Sequence, residues 1–467
     1  MIILGTNSIK DTGYDVANSV RLNPPSNDYF NRTPSSASNR RTFTLSVWIK
    51  RWEFSSSDWV IRATGGGNAT GFYFPTGSNN NKINFYSEGS SDINLVTAQV
   101  FRDPSAWYHI VFAVDTTQST EQNRVKMYVN GSLATISGTY PSVNDDTAIN
   151  EDVAHFIATD GASSSNRLGC YLSEFVLIDG QQLAADQFGK FDEDSGIWKP
   201  IDVSGLTFGT NGFYLDFEDS SALGNDAAGS NNFTANNLTA IDQSTDTCTN
   251  NFCTPNPLYP PRNGSVAFSE GNLKTVFTSY EQSPNGTIGA GAGKWYYEMK
   301  MSGTHARFGW CESHCPQGDL DSNDTFPAYA IYSNGSNGLA VYKNVTTRGI
   351  SQNSGYTSFS AGDTVGIAFD IDNGKFYAHL NGTYYNSGNP ANGTGAIITD
   401  ITAQQGGLFL PYLNCGTNLS RTYEWNFGSP SYSISSGNTD GNSYGNFEYA
   451  VPSGYFALNT KNLAEYG

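Results

Sequence analysis

TFTLSVWIK, residues 42–50, places an apolar residue at every second position from Phe43 to Ile49. Phe43, Leu45, Val47 and Ile49 fall on one face of an extended chain, as a strand with one buried face requires. Similar short runs, each bounded by Gly, Asn, Asp or Pro, follow at residues 59–62, 71–74, 83–86, 107–114 and 125–129. Short strands at this spacing predict an all-β sandwich.

The composition supports this prediction and excludes several function classes. The chain of 467 residues is 38% apolar but only 15% charged, and its 49 Gly suit tight turns. Its net charge of −18 predicts a surface that repels nucleic acid and anionic membranes, so we expect neither as a partner. Six Cys are too few for a disulfide scaffold.

The N-terminal segment predicts synthesis in a cytoplasm without signal-dependent export. The opening Met-Ile-Ile-Leu-Gly is too short for a signal-peptide core and lacks a basic leader. No window of the sequence has the roughly 18 to 20 consecutive apolar residues of a spanning helix. We therefore expect no membrane insertion.

Three elements of the first half carry a family resemblance. A strand at residues 107–115, WYHIVFAVD, precedes a strand at 125–129 that ends in Asn130-Gly131, a hairpin signal. The closing element is LGCYLSEFVLIDG at residues 168–180. Together they resemble the laminin-G-like, concanavalin A-type lectin family, which implies a lectin-like β-sandwich over residues 1–185 with an N-terminal lead-in.

The second half carries a more specific resemblance. GDTVGIAFDIDNGKFY at residues 362–377 leads to Asn381-Gly382 and resembles the centre of a SPRY domain. Further matching strands are GKWYYE at 293–298, RFGW at 307–310, LFLPYL at 408–413 and WNFG at 425–428. The resemblance implies a second sandwich over residues 265–467 with a C-terminal extension.

The predicted fold is therefore all-β, with two tandem jelly-roll-like β-sandwiches, one concanavalin A-like and one SPRY-like. Residues 186–264, rich in Asn, Thr and Pro near their end, are predicted to form an irregular connector and spacer. Within the SPRY-like part, Asn373-Gly374 predicts a two-residue hairpin turn.

This domain order resembles virion proteins of marine tailed bacteriophages. The resemblance implies a non-enzymatic virion surface protein, part of a tail fibre or tail tip, that binds host cell-surface glycans and other virion proteins. A homo-oligomer such as a trimer is expected. The first alternative is a capsid decoration protein on the head surface, and a lower alternative is a glycan hydrolase.

Carbohydrate recognition needs aromatic faces beside polar groups. We predict such faces at aromatic residues that the sequence places in loops or beside polar residues: Trp52, Trp59, Tyr73, Tyr86, Tyr329, Tyr332 and Tyr342. No cofactor is expected, with calcium left open because two loops are rich in oxygen ligands. The candidate calcium ligands are Asp145, Asp146, Asp321 and Asp324.

Catalytic motifs are weak. Hydrolysis by paired carboxylates would use Asp216 with Glu218, or Asp192 with Asp194, but both pairs fit solvated surface acids better. The five His lack a nucleophile motif, and His109 and His379 lie on predicted strands, where a structural role is favoured.

Overall fold

The structure, a computed structural model, describes residues 9–54, 57–88, 93–161, 166–259, 265–277, 284–313, 326–333, 338–345, 350–351, 355–403, 407–415 and 420–467. Strands dominate these residues, and the only α-helices among them are α1, Glu121–Arg124, and α2, Thr460–Tyr466. Short 3-10 turns lie at Pro24–Ser26, Gly77–Asn79, Ala185–Gln187, Ala240–Asp242, Tyr385–Ser387 and Pro390–Asn392. The predicted all-β class is confirmed, and within the described ranges no helix is long and apolar enough to span a bilayer.

The chain forms two compact units. The N-terminal unit is Thr12–Thr249, and the C-terminal unit is Asn250–Gly467 with residues 9–11. The strands of the N-terminal unit are β1 Ser19–Leu22, β2 Tyr29–Arg32, β3 Thr42–Arg51, β4 Asp58–Gly65, β5 Asn68–Phe74, β6 Asn84–Glu88, β7 Ile93–Thr97, β8 Tyr108–Asp115, β9 Val125–Val129, β10 Ser132–Leu133, β11 Ile136–Thr139, β12 Ala154–Ile157, β13 Cys170–Asp179, β14 Gly189–Phe191, β15 Trp198–Pro200, β16 Phe213–Leu215, β17 Thr234–Asn236 and β18 Gln243–Ser244.

The N-terminal unit is a sandwich of two antiparallel sheets. The first sheet has the order β10-β9-β8-β3-β13-β1-β18, with β16 also paired to β13, and the second has the order β11-β7-β6-β5-β4-β12-β2-β17. The inward side chains of the two sheets meet in one core, where the rings of Phe72 from β5 and Phe112 from β8 lie 4.4 Å apart. The apolar residues that alternate within residues 42–50 thus form the core face of β3.

Residues 186–249, which the sequence assigned to the connector, lie within the N-terminal unit. Their short strands β16, β17 and β18 pair with β13, β2 and β1, at most three residues at a time. Residues such as Phe188 and Tyr214 also pack on Val111 and Val176, on the outer face of the first sheet. The segment is irregular in sequence because its strands are too short to show a period.

The C-terminal unit is a second sandwich. Its strands are β19 Val266–Ser269, β20 Lys274–Phe277, β21 Lys294–Met301, β22 Ala306–Glu312, β23 Phe326–Ser333, β24 Leu339–Val345, β25 Ile350–Ser351, β26 Thr364–Asp370, β27 Lys375–Leu380, β28 Thr383–Tyr384, β29 Phe409–Cys415, β30 Arg421–Asn426 and β31 Phe456–Ala457. The third sheet has the order β19-β20-β30-β21-β26-β27-β28, with β31 paired to β21, and the fourth has the order β25-β24-β23-β22-β29. Trp310 and Phe369 stack between them with ring centroids 4.9 Å apart.

Turn chemistry explains three of the hairpins. Asn130-Gly131 and Asn381-Gly382 both have positive φ at each residue and join strands whose last pairs are two residues apart, as predicted for type I′ turns. The prediction for Asn373-Gly374 is wrong in length, because Asp370 pairs with Lys375 across a four-residue loop. The Asp370 carboxylate accepts the Asn373 N–H at 2.9 Å, which stabilises the wider turn.

Candidate functional site: an aromatic platform on the second sheet

The two sheets of the N-terminal unit differ in what covers their outer faces. The first sheet lies under an apolar layer supplied by residues 183–214. Within the described ranges, no apolar cluster of this kind lies on the outer face of the second sheet. The second sheet is therefore the face of this unit on which a ligand can reach ordered side chains.

Three aromatic residues on neighbouring strands form a cluster on this face, which we call the aromatic platform: Trp59 on β4, Tyr73 on β5 and Tyr86 on β6. Because Phe72, Phe74 and Phe85 point into the core, the alternation of a strand turns Tyr73 and Tyr86 outward. Trp59 joins them through a bulge in β4 that sends both Val60 and Ile61 into the core.

The three rings contact one another closely. Trp59 stacks on Tyr73 with ring centroids 4.6 Å apart and planes 21° apart. Tyr86 meets Trp59 and Tyr73 edge-on, at 6.3 Å from each. Trp59 is only 8% exposed, whereas Tyr73 and Tyr86 are half-buried. Tyr73 and Tyr86 are thus the rings that face solvent, and Trp59 holds them in place.

Polar groups surround the platform. Asn84 donates to the Tyr73 hydroxyl at 3.2 Å, and the Tyr86 hydroxyl donates to Glu88 at 3.1 Å. The Arg62 guanidinium lies over the Trp59 ring at 5.0 Å and forms an ion pair with Glu88 at 3.4 Å. These contacts fix the ring orientations. The Glu88 carboxylate and the Arg62 guanidinium lie at the border of the platform, whereas Asn84 is only 4% exposed.

A groove of about 520 Å³ adjoins the platform, which we call the polar groove. Its lining includes Lys82, Asn94, Val96, Ser137 and Thr139. Asn94 pairs with Tyr86 in the sheet register, and Val96 pairs with Asn84, so the groove begins one strand beyond the platform. Sequence reasoning missed the polar residues of this surface, although Asn94 occupies an outward position of an alternating strand; Lys82 lies in the turn before β6 and gave no such signal.

The structure brings together three of the seven aromatic residues predicted for ligand binding, and it places Trp52 elsewhere. Trp52 is only 3% exposed, and its indole N–H donates to the Leu22 carbonyl at 3.1 Å. The prediction that its ring faces a ligand is wrong, because the ring is buried against the chain at Leu22 and Gly169.

The C-terminal aromatics are on strands rather than in a loop. Tyr329 is buried in the main core and its hydroxyl donates to the Thr402 carbonyl at 2.9 Å. Tyr342 is 2% exposed, on the other side of the fourth sheet, and Tyr332 beside it is partly buried. The Arg307 guanidinium lies 4.7 Å from the Tyr332 ring. The prediction that Tyr329 and Tyr342 face a ligand is therefore wrong. Both side chains pack against other residues on the two sides of the fourth sheet.

The candidate calcium ligands are only partly described. The Asp146 carboxylate forms a two-pronged ion pair with Arg41, with its closer contact at 2.7 Å, and the hydrogen bonds from Arg41 lower its pKa. Asp145 is nearly buried, and its backbone carbonyl accepts the Thr116 hydroxyl at 2.7 Å. Asp321 and Asp324 lie outside the described residues. Among the residues described, no three His, Cys, Asp or Glu side chains gather into a metal site, and calcium stays a prediction.

A buried Ser46–His109 pair is the arrangement closest to a catalytic dyad. The Ser46 Oγ lies 2.8 Å from His109 Nε2, and the Trp198 indole N–H donates to His109 Nδ1 at 3.0 Å. Because an indole N–H only donates, Nδ1 carries no proton and Nε2 donates to Ser46. Burial also lowers the pKa of His109 to about 3, so the ring is neutral and cannot take a proton from Ser46 through Nε2.

The carboxylates weighed for hydrolysis have structural partners. Asp192 pairs with Lys199 at 2.8 Å, and this hydrogen bond, with those from Ser195, lowers its pKa. Asp216 accepts the backbone N–H of Glu218 at 3.1 Å within its own turn. Both carboxylates therefore stabilise the loops in which they lie.

Comparison with known families assigns the class of each unit. Residues 25–181 match the model of the concanavalin A-like lectin/glucanases superfamily, and residues 294–429 match the model of the SPRY domain. The chain thus carries a concanavalin A-like domain followed by a SPRY domain, as the sequence motifs indicated. No curated protein matches the chain.

The solved structures that match parts of this chain include the following three. Mouse laminin alpha1 chain domains LG4-5 are 10% identical, with 87% of this chain and 84% of that chain covered and a TM-score of 0.29. A putative carbohydrate binding protein from Bacteroides ovatus is 16% identical, with 48% and 59% covered and a TM-score of 0.33. The SPRY domain of human HERC1 is 11% identical, with 33% and 87% covered and a TM-score of 0.24.

Proposed function

We propose that this protein binds carbohydrate without cleaving it, and that the aromatic platform is the binding surface. The observation that carries the proposal is the pair of outward rings, Tyr73 and Tyr86, supported from below by Trp59 on the uncovered face of a concanavalin A-like sandwich. A sugar ring has apolar C–H faces that pack on aromatic rings and hydroxyl groups that need hydrogen-bond partners.

The polar border of the platform supplies those partners. Arg62 and Glu88 lie beside the rings and already make contacts that fix their orientations. Side chains held in this way lose little conformational entropy when a ligand binds. The surface is nevertheless open, so each copy holds only a short stretch of glycan.

Replacement of Tyr86 by Ala tests this proposal. We expect the wild-type protein to bind a subset of the glycans on an array. Tyr86→Ala should raise the dissociation constant of the most tightly bound oligosaccharide about 5- to 30-fold. This range corresponds to the loss of about 1 to 2 kcal/mol from a ring that contacts the ligand directly. Titration calorimetry on the full-length protein measures the effect.

Phe191→Ala is the matched control, because Phe191 is 49% exposed and its strand, β14, lies outside both sheets of the sandwich. It should leave the affinity unchanged. Equal affinities for wild type and Tyr86→Ala would show that the platform is not the binding surface. Release of shorter oligosaccharides during the incubation would instead support the hydrolase alternative.

We propose further that the protein is displayed on a bacteriophage particle, in a tail fibre or tail tip, as a homo-oligomer such as a trimer. The order of a lectin-like and a SPRY domain supports this setting, and clustered copies compensate for weak single sites. Gold-labelled antibody on intact virions tests the location. Labelling over the head would favour the capsid decoration alternative. Particles without label would contradict both the tail and the head location.

A further inference from the structure

The polar groove has an electrostatic character that differs from that of the chain as a whole. The protein carries a net charge of −18, yet no Asp or Glu lines the groove. The residues that line it are neutral except for Lys82. A cavity without carboxylates on an acidic protein removes the repulsion that an anionic ligand meets elsewhere on the surface.

Among the described residues, the positive charge of Lys82 is not paired with a carboxylate. Its ammonium group lies 3.5 Å from the Asn79 side-chain oxygen, at the limit of a hydrogen bond. Lys82 is half-buried, which limits the volume that its side chain samples and keeps the charge at the groove.

The groove and the platform form one continuous surface. Tyr86 pairs with Asn94, and Asn94 pairs in turn with Thr139 of β11, so the row crosses from the rings into the groove. Neighbouring strands lie about 4.8 Å apart, so one sugar unit on the rings leaves the next unit over the groove. Asn94 is exposed between the two and offers an amide to a ring hydroxyl.

We propose that the polar groove receives an acidic sugar unit, whose carboxylate or sulfate group accepts hydrogen bonds from the Lys82 ammonium, while the adjoining unit stacks on Tyr86. This inference rests on the proposed function and narrows its ligand to anionic oligosaccharides. The Coulomb attraction adds to the stacking contact and distinguishes acidic glycans from neutral ones of the same length.

Matched pairs of oligosaccharides test this inference on the full-length protein. The pairs are oligogalacturonate with its carboxyl-reduced, neutral counterpart, and a sulfated galactan oligosaccharide with its desulfated counterpart. We expect the acidic member of at least one pair to bind about fivefold more tightly at low salt. Which pair shows the preference identifies the acidic group that the groove binds, a carboxylate or a sulfate. The preference should become smaller as the salt concentration is raised.

Lys82→Gln should abolish the preference by weakening the acidic ligand about fivefold, with the neutral ligand changed less than about twofold. Lys126→Gln is the matched control, because Lys126 lies on β9 of the opposite sheet and is also half-buried. Unchanged unfolding midpoints establish that both variants fold.

The outcomes separate the inference from the function on which it rests. Equal affinity for acidic and neutral members, or a preference that survives Lys82→Gln, would overturn the inference and leave the platform as a neutral-sugar site. Absence of binding to every oligosaccharide, acidic or neutral, would overturn the proposed function as well.

Discussion

A buried ion pair joins the first sheet to the segment that follows the last strand of the N-terminal unit. Lys50 of β3 and Asp246 approach to 2.7 Å, and both side chains are 1% exposed. Asp246 also accepts the Trp107 indole N–H at 3.1 Å. We predict that Lys50→Met, which keeps the length of the side chain but removes its charge, strongly destabilises this unit.

The magnitude follows from the burial. Removing one partner of a buried pair leaves an uncompensated charge, at a cost of about 3 to 5 kcal/mol in the free energy of unfolding. For a unit of this size, each kcal/mol lowers the melting temperature by about 2 to 4 °C, so the expected loss is about 6 to 20 °C. Calorimetry of the full-length protein measures it in the transition of the N-terminal unit.

A double-mutant cycle separates the pair from its surroundings. Lys50→Met with Asp246→Leu should be more stable than Lys50→Met alone, because the charge that was left unpaired is also removed. The Trp107 N–H then lacks its acceptor, which retains a cost of about 1 to 3 kcal/mol. Lys126→Met serves as the control at a half-buried lysine for which no ion pair is described.

The same experiment tests the assignment of residues 186–249 to the N-terminal unit. If this segment were a loosely attached connector, Asp246 would become hydrated when Lys50 is replaced. Lys50→Met would then cost less than about 1 kcal/mol, as for a surface pair, and the cycle would show no coupling energy. That result would refute the reasoning.

Two further predictions concern single buried groups. Burial raises the pKa of Glu174 from 4.5 to about 7, so this group makes the wild type lose about 3 kcal/mol of stability as pH rises from about 4.5 through 7. Glu174→Gln should flatten this pH dependence of the free energy of unfolding, measured by urea unfolding. Parallel profiles for the two proteins would contradict the prediction. At Gly366 a Cβ would overlap the buried His379 ring, so Gly366→Ala should cost about 1 to 3 kcal/mol in the C-terminal unit, and an unchanged melting temperature would contradict it.

Local chemistry is what the sequence revealed best. The strands that alternate strictly and the two Asn-Gly turns depend on neighbours in the chain, and both were predicted correctly. Gly366 belongs to the SPRY-like motif, but why this position needs glycine appears only in the structure. It pairs with His379 across β26 and β27, and the histidine ring occupies the space that a side chain would need.

The candidate site depended on contacts that no local pattern reveals. Tyr73 and Tyr86 were predicted as ligand-facing rings, but so were Trp52 and Tyr329, which the structure buries. The difference arises because Trp52 is covered by the chain at Leu22 and Tyr329 by the core of the C-terminal unit, whereas Tyr73 and Tyr86 stay half-buried on the second sheet. Such coverage joins residues that lie far apart in the chain, and single-sequence periodicity carries no signal for it.

The shape of the platform also bears on how the protein would work. Two half-buried rings with a few polar contacts support a binding free energy of about 4 kcal/mol, which corresponds to a dissociation constant near 1 mM. A single copy would release its glycan quickly. Copies displayed together would raise the avidity by about 10²- to 10⁴-fold without any new contact. The number of copies on one assembly is therefore part of the proposed adhesion mechanism, and a monomeric variant should retain the single-site affinity while losing attachment to glycan-coated surfaces.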